Sequence, residues 1–548
     1  MSPQPSPGTK GWASLRAEHN KKRKGSPNVD SDSADPSFLK LVEQVKRLRQ
    51  QELPAESPVT QSTKFRDAAR RVIANLFVSG KKTRPGPTEF SHSEDQILPQ
   101  PRGPYPVSVV EVDIPVHASK IGIVPCAVFY PTSTHVVQGP IDADKRDKKI
   151  EQVEYDEARH KRPTWMDHNY AAALGKSQLA PLFGESLASL LMDMLGPIAT
   201  RHKSVDAILG LPMAIPPVQG KQGTATVTED GDRKTMSEGR GRGDGTWPVA
   251  VLSHSMTGWR WLYSAKAISL ASEGVVVVVP EHCDGTASAC FSSLKRTPLI
   301  EYEEWSDMNK LFESRDGCTF EENQKLGNIW RQGQAEQRVL EIHACLDNVE
   351  ETLLRQCPHV LPSTKNTSVY DGSSSAPEID CKCLRTKEDV LVMGHSFGGT
   401  VATICAIRDK ERQRFSHVFA YDPWLGSLSK YRLSPLSDED RTNIGFSQAM
   451  RSLVIWGNTL GFVWAPGASI AEQMIASVGE DRGRIILAEG AGHFHQTDAV
   501  TLFENGPLSF VYQWLKGTDK SKTLPAREAL DAFIRQSIDE LRRTRWLH

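Results

Sequence analysis

Long apolar runs are missing from this 548-residue sequence, which contains no stretch of about 18 apolar residues able to cross a membrane. The N-terminal region has no apolar segment of signal-peptide length, and position two is Ser2 instead of the glycine that N-myristoylation requires. We therefore expect neither a signal peptide nor a transmembrane helix. The predicted location is intracellular and cytoplasmic, with peripheral contact to membranes left open.

An excess of charge of one sign is also missing, since the formal net charge is -1. No nucleic-acid partner is therefore predicted. The nine cysteines form no paired framework, and Cys381 and Cys383 are too close in sequence for a zinc pattern. We predict no metal ion, no organic cofactor and a reducing environment.

The composition divides the chain into three parts. Residues 1–35 are rich in Ser, Pro, Lys and Asp and are predicted to be a disordered tail. Residues 36–101 form a predicted N-terminal extension with two basic amphipathic helices, which either lie on a membrane surface or pack on the main domain. The main domain, 102–548, has two polar stretches, 219–246 and 358–387, predicted to be loop insertions that contribute little to the core.

From about residue 103, short apolar runs alternate with helical stretches. This alternation predicts a mostly parallel central sheet with helices on both faces. A run of five valines at 275–279 is typical of a strand buried on both sides. The predicted strands are 107–115, 121–130, 248–252, 275–279, 390–393, 417–421, 453–456 and 484–488, and the predicted helices include 264–273 and 398–409.

The strongest chemical motif is Gly-His-Ser-Phe-Gly at 394–398, followed by Gly399. It lies between a predicted strand and a predicted helix, which is the context that the G-x-S-x-G nucleophile elbow requires. Small residues must flank the serine because strand and helix approach closely there. We predict that Ser396 is the nucleophile of an α/β-hydrolase fold over 102–548. The alternative is a glycine-rich turn whose serine has no catalytic role.

In such a fold an acid and then a histidine follow the serine along the chain. Asp422 closes the next predicted strand and is the candidate acid, although it could simply begin a turn before Pro423. Asp438 and Asp440, in a polar loop, are weaker candidates. Two histidines, His493 and His495, follow the last predicted strand, and spacing alone does not choose the base between them.

An oxyanion hole requires two backbone N–H groups near the serine. One is predicted from Phe397, directly after Ser396. The other is predicted from Met256, in the loop that follows the strand 248–252.

These residues resemble the platelet-activating-factor acetylhydrolases of the plasma and related intracellular type. The resemblance covers about 102 to 545 and implies that His495 is the base and Asp422 the acid. The sequence departs from the family at Ser255, where a glycine is usual, and at Cys283, where an arginine is usual. The segments that resemble the family are 103–107, 253–256, 262–264, 270–272, 281–284, 287–289, 394–399, 422–424 and 495–496.

The resemblance implies calcium-independent hydrolysis of the sn-2 ester of phospholipids that carry a short or oxidised acyl group. It also implies contact with a membrane or lipid-particle surface through the segment 179–195, although an ordinary buried helix face would show the same pattern. Two other functions remain open: a general carboxylesterase or lipase, and a catalytically silent lipid-binding scaffold. The candidate membrane-facing residues are Leu182, Phe183, Leu187, Leu190, Leu191 and Met194.

Overall fold

The computed structural model describes residues 98–132, 207–216, 245–301, 320–361, 383–425, 446–503 and 524–547, apart from short gaps within these ranges, together with Tyr170 and Ala173. All of them belong to one compact unit, Pro54–His548. Several predictions lie outside the described residues. These are the tail 1–35, the two N-terminal helices, the six candidate membrane-facing residues, Asp438 and Asp440, and the central parts of both predicted insertions.

The centre of this unit is a ten-stranded sheet. Its strands are β1 (Val107–Pro115), β2 (Ile123–Pro131), β3 (Ile208–Leu209), β4 (Trp247–Ser253), β5 (Val276–Pro280), β8 (Leu384–Arg385), β9 (Val390–His395), β10 (Phe415–Tyr421), β11 (Ser452–Asn458) and β12 (Gly483–Ala488). A separate hairpin consists of β6 (Ala289–Phe291) and β7 (Pro298–Glu301).

The strand order is β12-β11-β10-β9-β4-β5-β2-β1-β3, and the short β8 pairs with the start of β4. The pairings from β12 through to β5 are all parallel, whereas β2 runs antiparallel to both β5 and β1. This mostly parallel topology confirms the predicted α/β-hydrolase fold. It also brings the carboxyl ends of β4, β9, β10, β11 and β12 to one edge of the sheet.

Helices cover both faces of the sheet. They are α1 (Ser264–Ser272), α2 (Phe320–Gln356), α3 (Phe397–Arg408), α4 (Trp464–Val478), α5 (Asp498–Phe503) and α6 (Ala526–Arg543), with a 3₁₀ helix at His493–Gln496. Alternate strand residues enter opposite cores: Val277 belongs to the hydrophobic cluster that includes residues of α1, α5 and α6, whereas Val276 belongs to the one that includes residues of α2, α3 and α4. The valine run is continuous because β5 is buried on both sides.

The prediction that 358–387 is a loop insertion contributing little to the core is wrong at both ends of this stretch. Val360, Leu361, Cys383 and Leu384 are buried in the core, and β8 joins the sheet. Because the sequence between them is polar, the composition of the whole stretch did not indicate these short apolar segments.

Candidate active site

Ser396 lies at the sharp turn between β9 and α3, with φ 57° and ψ -119°. A non-glycine residue rarely adopts such a backbone, and it marks a strained functional turn. Both flanking glycines are required by close approach. A Cβ on Gly394 would lie 2.2 Å from the carbonyl oxygen of Gly398, and one on Gly398 would lie 2.1 Å from that of Ser253. The motif therefore forms the sharp strand–helix turn that a nucleophile elbow requires.

A hydrogen-bond chain links this serine to a histidine and an aspartate. His493 Nε2 lies 2.9 Å from Ser396 Oγ, and His493 Nδ1 lies 2.5 Å from Asp422 Oδ2. Ser396 and His493 are 6% and 5% exposed and Asp422 is fully buried, so the chain runs from the edge of solvent into the core. This is the geometry of a nucleophile, a base and an orienting acid.

The expectation that His495 is the histidine of this set is wrong in the structure. His495 instead closes the 3₁₀ helix: its Nδ1 accepts the N–H of Gly492 at 2.9 Å, and its own N–H donates to the Gly492 carbonyl at 3.1 Å. Residues two apart on a tight helix point in different directions. Only the first histidine, His493, therefore reaches Ser396.

Asp422 is placed by the end of β10 and by its neighbour β11. Its backbone is in the left-handed region, with φ 40°, and its N–H donates to the Trp456 carbonyl at 2.7 Å. The second carboxylate oxygen, Oδ1, accepts the N–H of Asn458 at 3.1 Å. Because both oxygens have partners, the buried carboxylate is held in one orientation toward His493.

Three polar residues support the histidine loop, and two of them, Asn458 and Lys266, were not indicated by the sequence motifs. Asn458 Nδ2 donates to the Gly492 carbonyl at 2.8 Å, and Gln496 Nε2 donates to Asn458 Oδ1 at 3.3 Å. Lys266 donates to Gln496 Oε1 at 2.7 Å and lies 3.7 Å from the centre of the Tyr421 ring. Burial holds the pKa of Lys266 well below its usual range.

The two predicted oxyanion donors lie on segments that touch each other. Phe397 is the first residue of α3, where backbone N–H groups have no partner within the helix. Met256 follows β4, whose last carbonyl, that of Ser253, closely approaches Gly398. The N–H groups on either side of Met256 are engaged, with Ser255 donating to Tyr263 Oη at 3.1 Å and Thr257 donating to the Thr286 carbonyl at 2.6 Å.

Arg338 of α2 contacts both of these segments. Its guanidinium donates to the carbonyl of His254 and lies 4.9 Å from the centre of the Phe397 ring. Its charge is paired with Asp284, since Nε donates to Oδ2 at 2.9 Å and both side chains are fully buried. This ion pair therefore holds the loop after β4 against the turn between β9 and α3.

Comparison with known proteins identifies the family of this chain. Residues 224–548 match the family described as platelet-activating factor acetylhydrolase, isoform II. The chain belongs to this family.

Several relatives are named platelet-activating factor acetylhydrolase, including proteins from Gallus gallus and Bos taurus. The one from Gallus gallus is 26% identical over 300 residues, which are 53% of this chain and 60% of the relative. The one from Bos taurus is 29% identical over 181 residues, 33% of this chain and 35% of the relative. The matched part thus spans less than two thirds of each relative. A solved ferulic acid esterase from Streptomyces cinnamoneus aligns with a TM-score of 0.42 at 14% identity, covering 80% of this chain and 90% of that one.

A second Ser–His–carboxylate set lies beneath the oxyanion loop. Ser253 Oγ is 2.9 Å from His282 Nε2, and His282 Nδ1 is 2.9 Å from Glu341 Oε2. All three side chains are fully buried. Burial and the nearby Arg338 hold the pKa of His282 well below its usual range, and burial, with Asp284 nearby, raises the pKa of Glu341 to about 8. With no access for a substrate, this set is structural.

The family segment that contains Cys283 belongs to this buried network. Cys283, which stands where the family usually has arginine, donates its N–H to Glu341, and its thiol lies 3.2 Å from that of Cys290. Among the described cysteines, Cys126, Cys283, Cys290, Cys345, Cys357 and Cys405 are free thiols. Within the described part of the chain, no group of three or more His, Cys, Asp or Glu side chains is placed to hold a metal ion. Among the described helices, none is both long and apolar enough to span a membrane.

Proposed function

We propose that this protein is a serine esterase that hydrolyses the sn-2 ester of phospholipids such as platelet-activating factor. The observation that carries this proposal is the unbroken hydrogen-bond chain from Ser396 through His493 to Asp422. Membership of the acetylhydrolase family supports the choice of a phospholipid ester. The acyl group at sn-2 is short or oxidised, as the resemblance implies.

In the proposed reaction, His493 Nε2 takes the proton of Ser396 Oγ as the oxygen attacks the ester carbonyl. Asp422 stabilises the imidazolium that forms, and the N–H groups of Met256 and Phe397 bind the tetrahedral oxyanion. The C–O bond to the lyso-phospholipid then breaks, and His493 returns the proton to the departing alcohol. A water molecule, deprotonated by the same imidazole, hydrolyses the acyl-enzyme and releases the carboxylate.

Calcium independence follows from the roles proposed for these groups. The base is an imidazole and the oxyanion is stabilised by backbone N–H groups, so no step of the proposed cycle calls for a bound cation. We therefore expect turnover to persist in a chelator. The segment 179–195, with its six candidate membrane-facing residues, remains the prediction for contact with the lipid surface.

The test is release of acetate from platelet-activating factor in chelator by wild type and by Ser396→Ala. Release that is lost in the variant supports both the serine mechanism and the substrate class. Labelling of Ser396 by a fluorophosphonate without acetate release would favour a general carboxylesterase. Vesicle binding with neither labelling nor turnover would favour the silent scaffold.

A further inference from the structure

We propose that Tyr263 and His395 form a positioning relay that fixes the catalytic base and the oxyanion loop in one mutual arrangement. The proposal rests on the function proposed above and adds two residues to its machinery. Neither side chain belongs to the triad, and both are buried at 1% exposure.

The relay is a continuous series of hydrogen bonds. Ser255 N–H donates to Tyr263 Oη at 3.1 Å, Tyr263 Oη lies 2.9 Å from His395 Nδ1, and His395 Nε2 lies 2.9 Å from the carbonyl oxygen of His493. One end is the residue before Met256, the proposed oxyanion donor. The other end is the backbone of the base itself.

The direction of each bond can be assigned from its ends. The His493 carbonyl can only accept, so His395 Nε2 carries a proton. In the neutral ring Nδ1 is then a bare acceptor, and the Tyr263 hydroxyl must donate to it. The same hydroxyl oxygen accepts from Ser255 N–H. Every donor therefore meets an acceptor only when His395 is neutral.

The surroundings of His395 favour the neutral ring. Its ring centre lies 4.6 Å from that of His493. Burial, and after it the neighbouring His493, holds the pKa of His395 well below its usual range. A neutral His395 also avoids charge repulsion with His493 when the base becomes an imidazolium during catalysis.

The position of His395 explains why one residue can serve both parts of the site. It ends β9, immediately before Ser396, while Tyr263 comes immediately before α1 and behind the oxyanion loop. Loss of the relay should leave the triad residues present but allow Ser255 and the His493 backbone to move independently. Small displacements of reacting groups cost roughly 100-fold in rate, so we expect kcat to fall by about 10- to 100-fold with little change in KM.

The variants are Tyr263→Phe, which removes only the hydroxyl, and His395→Leu, compared with His395→Gln, which keeps a donor and an acceptor. The matched control is Tyr130→Phe. Tyr130, on β2, is also a buried tyrosine, but it lies in the opposite core. Its hydroxyl donates to the Leu211 carbonyl at 2.7 Å. Hydrolysis of an aryl acetate gives kcat and KM, and amide hydrogen exchange of the peptides containing Ser255 and 490–496 gives a readout that needs no activity.

The relay predicts a kcat loss in Tyr263→Phe and His395→Leu, partial recovery in His395→Gln and no loss in Tyr130→Phe. The double variant Tyr263→Phe/His395→Leu should have a kcat no lower than that of the less active single variant. Exchange at Ser255 should rise about fivefold in Tyr263→Phe, as expected for one lost hydrogen bond. If Tyr263→Phe matches Tyr130→Phe in kcat and exchange, the relay is refuted. If wild type cleaves no ester, the proposed function fails, and the exchange data alone support or refute the relay.

Discussion

Replacing the two neighbouring histidines one at a time, each by glutamine, separates the base from its helix-capping neighbour. In His493→Gln the side chain has no basic nitrogen to take the Ser396 proton, and the link to Asp422 is lost. Removal of the base of such a triad costs about 10,000-fold or more in kcat. That factor corresponds to about 5.5 kcal/mol of lost transition-state stabilisation.

The same substitution at His495 has a different consequence. His495 Nδ1 accepts the N–H of Gly492, and a glutamine retains an oxygen acceptor in this region. Even complete loss of that hydrogen bond would cost about 1 kcal/mol, or roughly fivefold. The expected ratio between the two variants is therefore about 1,000-fold or more.

The assay is kcat/KM on an aryl acetate together with the rate of fluorophosphonate labelling. Circular dichroism and the thermal midpoint control for folding of both variants. A folded His495→Gln variant that has lost activity, beside a His493→Gln variant that retains it, would refute the assignment made from the structure.

Three further predictions follow from the same geometry. Asp422→Asn should fold but lose about 10,000-fold in kcat, because the amide cannot hold the imidazole as the carboxylate does; retention of activity at one tenth of wild type would contradict this. Gly398→Ala should fail to accumulate as folded enzyme, since its Cβ would lie 2.1 Å from the Ser253 carbonyl; normal expression and activity would contradict the close approach. Stability should fall from pH 6 to pH 5, because the pKa values of three buried histidines lie below the unfolded value and the unfolded chain then binds more protons at these residues. Two buried carboxyl groups with raised pKa values, Glu281 at about 7 and Glu341 at about 8, act in the opposite direction and offset about two of these protons. Chemical denaturation at pH 5 and pH 6 checks the slope, and equal stability at the two pH values would contradict it. These histidines are His254, whose pKa burial and Arg338 lower to about 3, with His282 and His395.

The parts of the fold that the sequence predicts well are those set by local patterns. The central strands are rich in apolar residues, and β5, β9 and β10 lie within two residues of the predicted bounds. The elbow depends on a short motif between a strand and a helix, so Ser396 could be located without tertiary information. Asp422 also followed from its position at the end of a strand.

Other features depend on contacts distant in sequence. Helix α2 carries Arg338 and Glu341 on its buried face, and these charges interrupt the apolar pattern by which a helix is recognised. Their partners, Asp284 and His282, lie more than 50 residues away. The choice of His493 over His495 depends on the direction in which a 3₁₀ turn points each ring, and a linear motif does not carry that information.

The proposed reaction requires Ser396 to be an activated nucleophile held by His493. The most direct test is mass-spectrometric mapping of the site at which a fluorophosphonate labels the full-length protein in chelator. A single adduct on the peptide containing Ser396, absent in Ser396→Ala and strongly slowed in His493→Gln, is the predicted result. An adduct on another serine, such as Ser253, or no adduct on correctly folded protein, would contradict the account.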